Sequence, residues 1–306
     1  MSAVPHGVGL SAELLAARRE VIGGSEIATI VGLSHFKEAS PIDIFLSKVE
    51  GYEREATFHM ERGTFYEDGT AQWFQHRTGF EVRPAQHVRH PTFKHVGCTP
   101  DRYFNTPDGN TRLLSIKVPG NWLSEEWGEP YAWRVPTAYY LQLQYEMGIC
   151  GAQGLCRTDY AKLAAPLNGD LVVLDVPCDV AVIDRLFQEA EAWWARHVDA
   201  KVPPPLDGSQ SASDWLRRRF PKSDKPVRVA TPAEDILALD LQAAEQRLAV
   251  AEKDYEKARQ PVVEAIGDAE GIDGPFGRVS FKANKKGVRS LRTTWTTQMS
   301  NPEEKP

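Results

Sequence analysis

An α/β fold is predicted for this chain: a central mixed sheet flanked by helices over 1–205, then a helical and β-hairpin extension over 206–306. Three observations lead there. Helix-like and strand-like segments alternate through the first two thirds, and an Asp108-Gly109 turn joins two strand-like runs. A Thr231-Pro232-Ala233-Glu234 capping box then opens a long heptad-spaced segment, just after a stretch rich in proline, glycine and serine. With 306 residues, 42% hydrophobic and 25% charged, the chain has material for one large domain with an appendage, and its composition is not that of a disordered or collagen-like protein.

Taken in order, residues 11–30 read as a helix, a Gly23-Gly24 break and a second helix start with Ser25 near its N-terminus. Residues 56–79 carry Phe65, Ala71, Trp73 and Phe74 at helical spacing, with Glu67 inside the run. Strands are expected at 80–87 and 91–96. Residues 97–120 should form a hairpin that sets Asp101 and Lys117 on adjacent paired strands. A helix is expected over 136–148, a short strand over 171–178, and an amphipathic helix over 184–198 carrying Trp193 and Trp194. Residues 201–214 read as a linker. The long helix from Thr231 has a seam through Leu237, Leu241, Ala244, Leu248, Ala251, Tyr255, Ala258 and Val262, the spacing of a coiled coil or helical hairpin. Pro261 predicts a kink and Gly267 an end. Residues 274–295 read as a hairpin with a Lys285-Lys286-Gly287 turn. Its basic face, Arg278 to Arg292, is suited to phosphate, although a solvated face is the commoner fate of such charges.

Net charge is -6, with 36 Lys and Arg against 42 Asp and Glu, so bulk electrostatics do not announce a nucleic-acid binder, although a local groove can still be basic. Cys98, Cys150, Cys156 and Cys178 form no CxxC pair, which argues for reduced thiols and against a zinc ribbon or iron–sulfur clasp. The histidines show no HxxxH or HxH pairing. No run is long and apolar enough for a membrane span, and the first residues lack a signal-peptide pattern, so a cytoplasmic location is expected.

The chemistry concentrates in Glu67, Pro100-Asp101 and Ser115-Ile116-Lys117. Residues two apart in a strand share a face, so Ser115 and Lys117 point one way and Ile116 the other. With an acidic residue at 115 this would be a Mg2+ nuclease site. Carboxylates and a backbone carbonyl suit magnesium's oxygen shell, and a lysine on the same face can orient or deprotonate the attacking water. Separately, Arg18 or Arg19 with Ser25 at a helix start is chemically suited to a phosphate, while taken alone the same residues read as a serine cap and solvated arginines.

These residues resemble the PD-(D/E)xK nucleases, and within them the lambda-exonuclease and YqaJ-type phage recombinase family. RREVIGGSEIATIVGLS is similar to the family's opening block, RGTFYEDGT to its glutamate helix, GCTPDRYF and LLSIKVPG to its metal strands, and YYLQLQYEMG to its following helix; the tail GDAEGIDGPFGRVSFK resembles the ends of longer members. Agreement of ordered blocks across two thirds of the chain is far more specific than a lone PD…xK. The resemblance implies a restriction-endonuclease-like core and a phage-type, Mg2+-dependent 5′–3′ double-stranded DNA exonuclease, with Mn2+ as a substitute, acting in recombination by single-strand annealing. It implies Glu67 and Asp101 as metal carboxylates, the Ile116 carbonyl as a further ligand, Lys117 positioning the water, and Gln142 supporting the site. Arg18 and Ser25 match the pair that receives a 5′-phosphate; Gln144 is a weaker match that also reads as a surface helix residue. Partners implied are duplex DNA ends, a single-strand annealing protein and further copies of the chain, in the cytoplasm of a bacterial host and away from membranes.

The departure is Ser115, where the family has glutamate. A neutral, shorter side chain cannot reach the same ligand position or supply its charge, which predicts very slow or absent cleavage. Three explanations compete: an inactive variant made to trap DNA, a natural pseudo-nuclease, or a carboxylate supplied from elsewhere, for which Glu61 and Glu146 are candidates that spacing does not separate. The unaltered neighbours favour a disabled site. Arg102, where many relatives have glycine, is a smaller departure. Two other readings stand beside the exonuclease: a non-catalytic DNA-end binder with native Ser115, and an endonuclease of the same fold. A third makes the seam an interaction module. Trp122, Trp127 and Trp133 could stack on DNA bases, but such residues are more often core anchors.

Overall fold

Side-chain caps start most of the early helices. Ser11 accepts from Leu14 N–H to open α1 (Ala12–Arg19), and after the glycine break α2 (Gly24–Ile30) begins from Gly23. Ser40 and Pro41 open α3 (Pro41–Glu50), a helix the sequence reading passed over; Thr57 opens α4 (Phe58–Thr78), which ends at Gly79. This computed structural model describes residues 11–34, 36, 39–52, 57–120, 124–129, 132–223 and 226–296. They fall into two compact units, 1–222 and 223–306.

The first unit holds the expected mixed sheet. In chain order its strands are β1 (Glu81–Pro84), β2 (Val88–Arg89), β3 (Gly97–Cys98), β4 (Arg102–Asn105), β5 (Thr111–Ile116), β6 (Tyr160–Leu167) and β7 (Asp170–Pro177). Five form one sheet in the order β1-β4-β5-β6-β7, while β2 and β3 pair separately. Only β5 and β6 run parallel within the five-stranded sheet; its other pairs are antiparallel. A parallel pair needs a crossover, and here it carries α5 (Ser124–Trp127) and α6 (Thr137–Ala152). That crossover brings the Gln142 helix back over the sheet. The β6–β7 turn, Asn168-Gly169, has φ of 51° and 83°, the left-handed pair that an Asn-Gly hairpin demands.

One large apolar cluster packs α2, α3, α6 and α7 (Val180–Trp193) on one face of the sheet, through Ile27, Leu46, Tyr145 and Phe187 against Leu113 and Leu163. A smaller one packs α4 on the other, through Ala71 and Phe74 against Phe104, Leu114 and Ile116. Trp193 and Trp194 are buried where α7 passes into a π-helical turn, Trp194–Asp199. The four cysteines are free, Cys98 and Cys150 buried.

Several expectations are corrected. Residues 91–96 form a turn, because Nδ1 of His90 accepts from the N–H groups of Thr92 and Phe93 at 3.1 and 3.0 Å. The linker reading of 201–214 gives way to α8 (Gln210–Arg219), started by Ser209 and anchored by the buried Ala212 and Trp215. In the second unit α9 (Pro232–Ile266) is one helix capped by the Thr231 and Glu234 box; it continues through Pro261 and ends at Gly267. The basic hairpin is two strands of a three-stranded sheet, β8 (Gly271–Gly274), β9 (Gly277–Ala283) and β10 (Arg289–Trp295), in the order β10-β9-β8. Its charges are partly engaged: Arg278 pairs with Asp273, Lys282 with Glu270, and Arg289 donates to the carbonyls of Gly267 and Phe281 at 2.7 and 2.9 Å.

Candidate active site

The register of β4 and β5 decides where the site faces. Arg102 lies opposite Leu114, so Asp101, one residue ahead of β4, comes alongside the end of β5. Leu114 and Ile116 pack on the α4 side of the sheet, and Leu113 packs on the α6 side. Alternation therefore turns Ser115 and Lys117 toward α6. The parallel ladder extends one residue past β5, with Lys117 N–H donating to the Ala164 carbonyl at 2.9 Å.

Asp101 gathers these neighbours. Its Oδ2 accepts from the Ile116 N–H at 2.7 Å, the Ser115 hydroxyl at 3.0 Å and the Lys117 ammonium at 3.5 Å. Ser115 is wholly buried. Burial pulls the Lys117 pKa down, but Asp101, then Glu146, then Tyr139 outweigh it, and the net value lies above the ordinary one. Lys117 is thus held as a cation, 5.4 Å from the centre of the Tyr139 ring.

Glu67 reaches the strand ends from α4. Burial first, then Asp101, raise its pKa, while Arg102 works against both. Arg102 donates to Glu67 Oε1 at 2.5 Å, to the Asp101 carbonyl, and through its other nitrogen to Asp68. Arg102 is therefore a clamp on a candidate metal ligand.

From α6, Gln142 donates to Glu146 Oε1 at 2.8 Å. Glu146 is 2% exposed, and burial and then Asp101 push its pKa up to about 8, against Lys117 and Gln142. Sequence spacing did not select Glu146 over Glu61. A signal existed: Glu146 follows Gln142 by four residues, hence on the same helix face. On α4 it is Arg62 that turns toward β5, donating to the Val118 carbonyl at 3.0 Å.

Arg18 lies in the last turn of α1, and Ser25 is the exposed second residue of α2. Both line a cleft with His87, Thr99, Gln142 and Glu146. Buried Lys48 ties the two helices together, donating to the Arg18 carbonyl at 2.9 Å and to Glu26 at 2.8 Å. Burial, then Arg89, Arg18 and Lys48, lower the His87 pKa, so this end of the cleft carries a cationic field. The same cleft is lined by the Glu146 carboxylate, close to Gly24 at the start of α2.

The remaining candidates have structural duties. Gln144 is buried, not a surface residue: it donates to the Pro177 carbonyl at 2.7 Å and accepts from Asp179 N–H at 2.8 Å, tying α6 to the start of α7. Trp127 is buried against Tyr139, Trp133 packs on the core, and Trp122 lies outside the described residues. His95 stacks on Trp194 at 4.2 Å, and His87 bonds Thr99 at 3.1 Å.

Magnesium takes oxygen donors, and Asp101, Glu67 and the Ile116 carbonyl are donors of that class. Asp101 and Glu67 repel one another, and so do Asp101 and Glu146, the pattern that a bound cation relieves. As placed, no three His, Cys, Asp or Glu side chains among the described residues are gathered so that they could hold an ion. Glu67 is engaged by Arg102, and Asp101 by the β5 end.

Comparison with known proteins follows the same outline. Residues 13–153, which contain every residue of the site, match the family described as the YqaJ-like viral recombinase domain. The chain is 28% identical over 250 residues to uncharacterized protein YqaJ of Bacillus subtilis (strain 168), covering 79% of this chain and 72% of that protein. Among solved structures it is similar to an alkaline exonuclease, LHK-Exo, from Laribacter hongkongensis, with a TM-score of 0.50 and 21% identity over 68% of this chain and 97% of that one. LHK-Exo in complex with dAMP gives a TM-score of 0.51 at the same identity and coverage, 21%, 68% and 97%. At that identity the likeness is one of fold, and the mixed sheet with its flanking helices is the part shared. In sequence, residues 13–153 of this chain are similar to the YqaJ-like viral recombinase domain, and its fold is similar to that of the alkaline exonuclease.

Proposed function

We propose that this domain is a Mg2+-dependent double-stranded DNA exonuclease that enters duplex ends and removes one strand from 5′ to 3′, exposing the other for single-strand annealing. The observation that carries this reading is the meeting of Asp101 and Lys117 at 3.5 Å on paired strand ends, beneath Glu67 and beside the cleft lined by Arg18, Ser25 and Gln142. Asp101, Glu67 and the Ile116 carbonyl are the residues that would hold Mg2+, or Mn2+ in its place. Bound there, the ion would polarise the scissile phosphate and lower the pKa of a water.

The protein's own residues divide the rest of the work. Lys117, held protonated by Asp101 and Glu146, orients the attacking water by donating to it and does not act as the base. Water oxygen bonds to phosphorus as the P–O3′ bond breaks, and the leaving oxygen takes a proton. The strand left behind then begins with a 5′-phosphate, the group that Arg18 and the Ser25 hydroxyl suit, so each turnover recreates the end the cleft would hold. The α9 seam is the surface for further copies of the chain or for an annealing partner.

A second reading rests on Ser115 and Arg102. Serine only donates to Asp101 and arginine occupies Glu67, so the chain could hold DNA ends without turnover. Digestion of linear, 5′-phosphorylated duplex with Mg2+, beside a circular duplex, tests both. Slow loss of the linear duplex alone, at the reduced rate that Ser115 predicts, is the expected result. Retention of ends without cleavage supports the second reading, and cutting of the circle supports an endonuclease.

A further inference from the structure

Glu146 lines the cleft with Arg18, Ser25 and Gln142, and the mechanism above uses its charge only to hold Lys117 protonated. Alternation along β5 turns Ser115 and Lys117 toward α6, and Asp101 meets both of them there. On α6, Gln142 and Glu146 share a face, and Gln142 holds one Glu146 oxygen at 2.8 Å. The first helical turn of α2 leaves room for the carboxylate: a Cβ on Gly24 would stand 2.6 Å from Glu146 Oε1 and 3.0 Å from its Cγ. A carboxylate 2% exposed, with a neutral amide as its close hydrogen-bond donor and the nearby Lys117 ammonium already bonded to Asp101, is an expensive feature unless a further cation completes it.

We propose that Glu146 supplies from α6 the metal-holding carboxylate that β5 lacks at Ser115, the ligand having moved from strand to helix. This rests on the nuclease reading above. The residue lost from the strand and the residue gained on the helix face the same Asp101–Lys117 pair. The Ser115 hydroxyl keeps Asp101 oriented. The charge removed at 115 is then restored, and a bound ion would draw together Glu67, Asp101 and Glu146, which as placed are not gathered to hold one.

Two readouts on the full chain test it: calorimetric titration of the metal-free protein with Mg2+ alone, and digestion of linear 5′-phosphorylated duplex. The variants are Glu146→Gln, Ser115→Glu, the double variant, and Asp101→Asn as reference. The original chain should bind Mg2+ and digest the duplex. Glu146→Gln should weaken Mg2+ binding by about tenfold or more and slow digestion by about a hundredfold or more, with unfolding still cooperative. Moving the carboxylate back, Ser115→Glu with Glu146→Gln, should recover most of both. If Glu146→Gln leaves both readouts intact while Asp101→Asn abolishes them, the nuclease reading stands and Glu146 is a structural residue. An inert original chain that Ser115→Glu activates whatever stands at 146 likewise overturns the proposal alone. Absence of Mg2+ binding and cleavage in every variant overturns the nuclease reading and this inference with it.

Discussion

Arg102 shows how one residue can set the working state of the site. Its guanidinium holds Glu67 at 2.5 Å and also pairs with Asp68, so any ion using Glu67 must first displace it. Arg102→Ala should therefore lower the Mg2+ concentration at half-saturation several-fold in a calorimetric titration; an unchanged or higher value would show that the clamp positions Glu67 and does not compete for it. A second arginine is structural. Arg112, 7% exposed at its side chain, meets Asp159 through two bonds of 3.0 and 2.8 Å and donates to Thr106 at 2.8 Å. The Arg112 bonds hold the Asp159 pKa below its ordinary 3.8. Asp159→Asn should cost about 1–2 kcal/mol at pH 7, reduced by the part exposure of Asp159. A depressed carboxylate contributes stability above its unfolded pKa and loses it as pH falls through the folded value. The gap between the two proteins in denaturant unfolding should thus close below about pH 3.8.

Among the elements, α6 carries the most. It fills the crossover between parallel strands, buries Leu143, Tyr145 and Met147, and presents Gln142 and Glu146 to the site. Its position depends on Gly148, where a Cβ would stand 2.4 Å from Ile183 and 2.6 Å from Phe187 on α7. Alanine gains about 1 kcal/mol in helix propensity, but overpacking costs about 1–3 kcal/mol, so Gly148→Ala should be net destabilising. Because α6 would shift to relieve the clash, DNA digestion should fall as well. Equal or greater stability in thermal unfolding would show that α6 and α7 part without cost.

For the whole molecule, the two units predict a division of labour. Among the described residues, every site residue and nearly all the buried apolar side chains lie within 1–222; the second unit buries the hydrophobic residues Ile266 and Val279. A chain ending at Lys222 should unfold cooperatively and keep Mg2+-dependent digestion. Along α9, Leu237, Leu241, Leu248 and Tyr255 are exposed, so the same truncation should remove any self-association measured by sedimentation. Loss of digestion in a folded fragment would assign the second unit a part in DNA handling. No helix among the described residues is long and apolar enough to cross a membrane.

Much of this was legible in local spacing. The Gly23-Gly24 break, the α4 stripe, the Asp108-Gly109 turn and the Thr231 box depend on neighbours a few residues apart, and each stands where the pattern put it. Asn168-Gly169 was equally local and was passed over, at the loss of β6. The motif order announced Glu67, Asp101 and Lys117 for a similar reason, since paired strands and one helix turn map directly onto sequence. Glu146 was different. That it lines the cleft with Ser25 depends on where the long crossover between β5 and β6 brings α6 to rest, which spacing along the chain does not give. Arg102 on Glu67, Gln144 buried under α7, and α8 in place of a linker share that cause: each depends on contacts between segments far apart in sequence, which only packing around the sheet brings together.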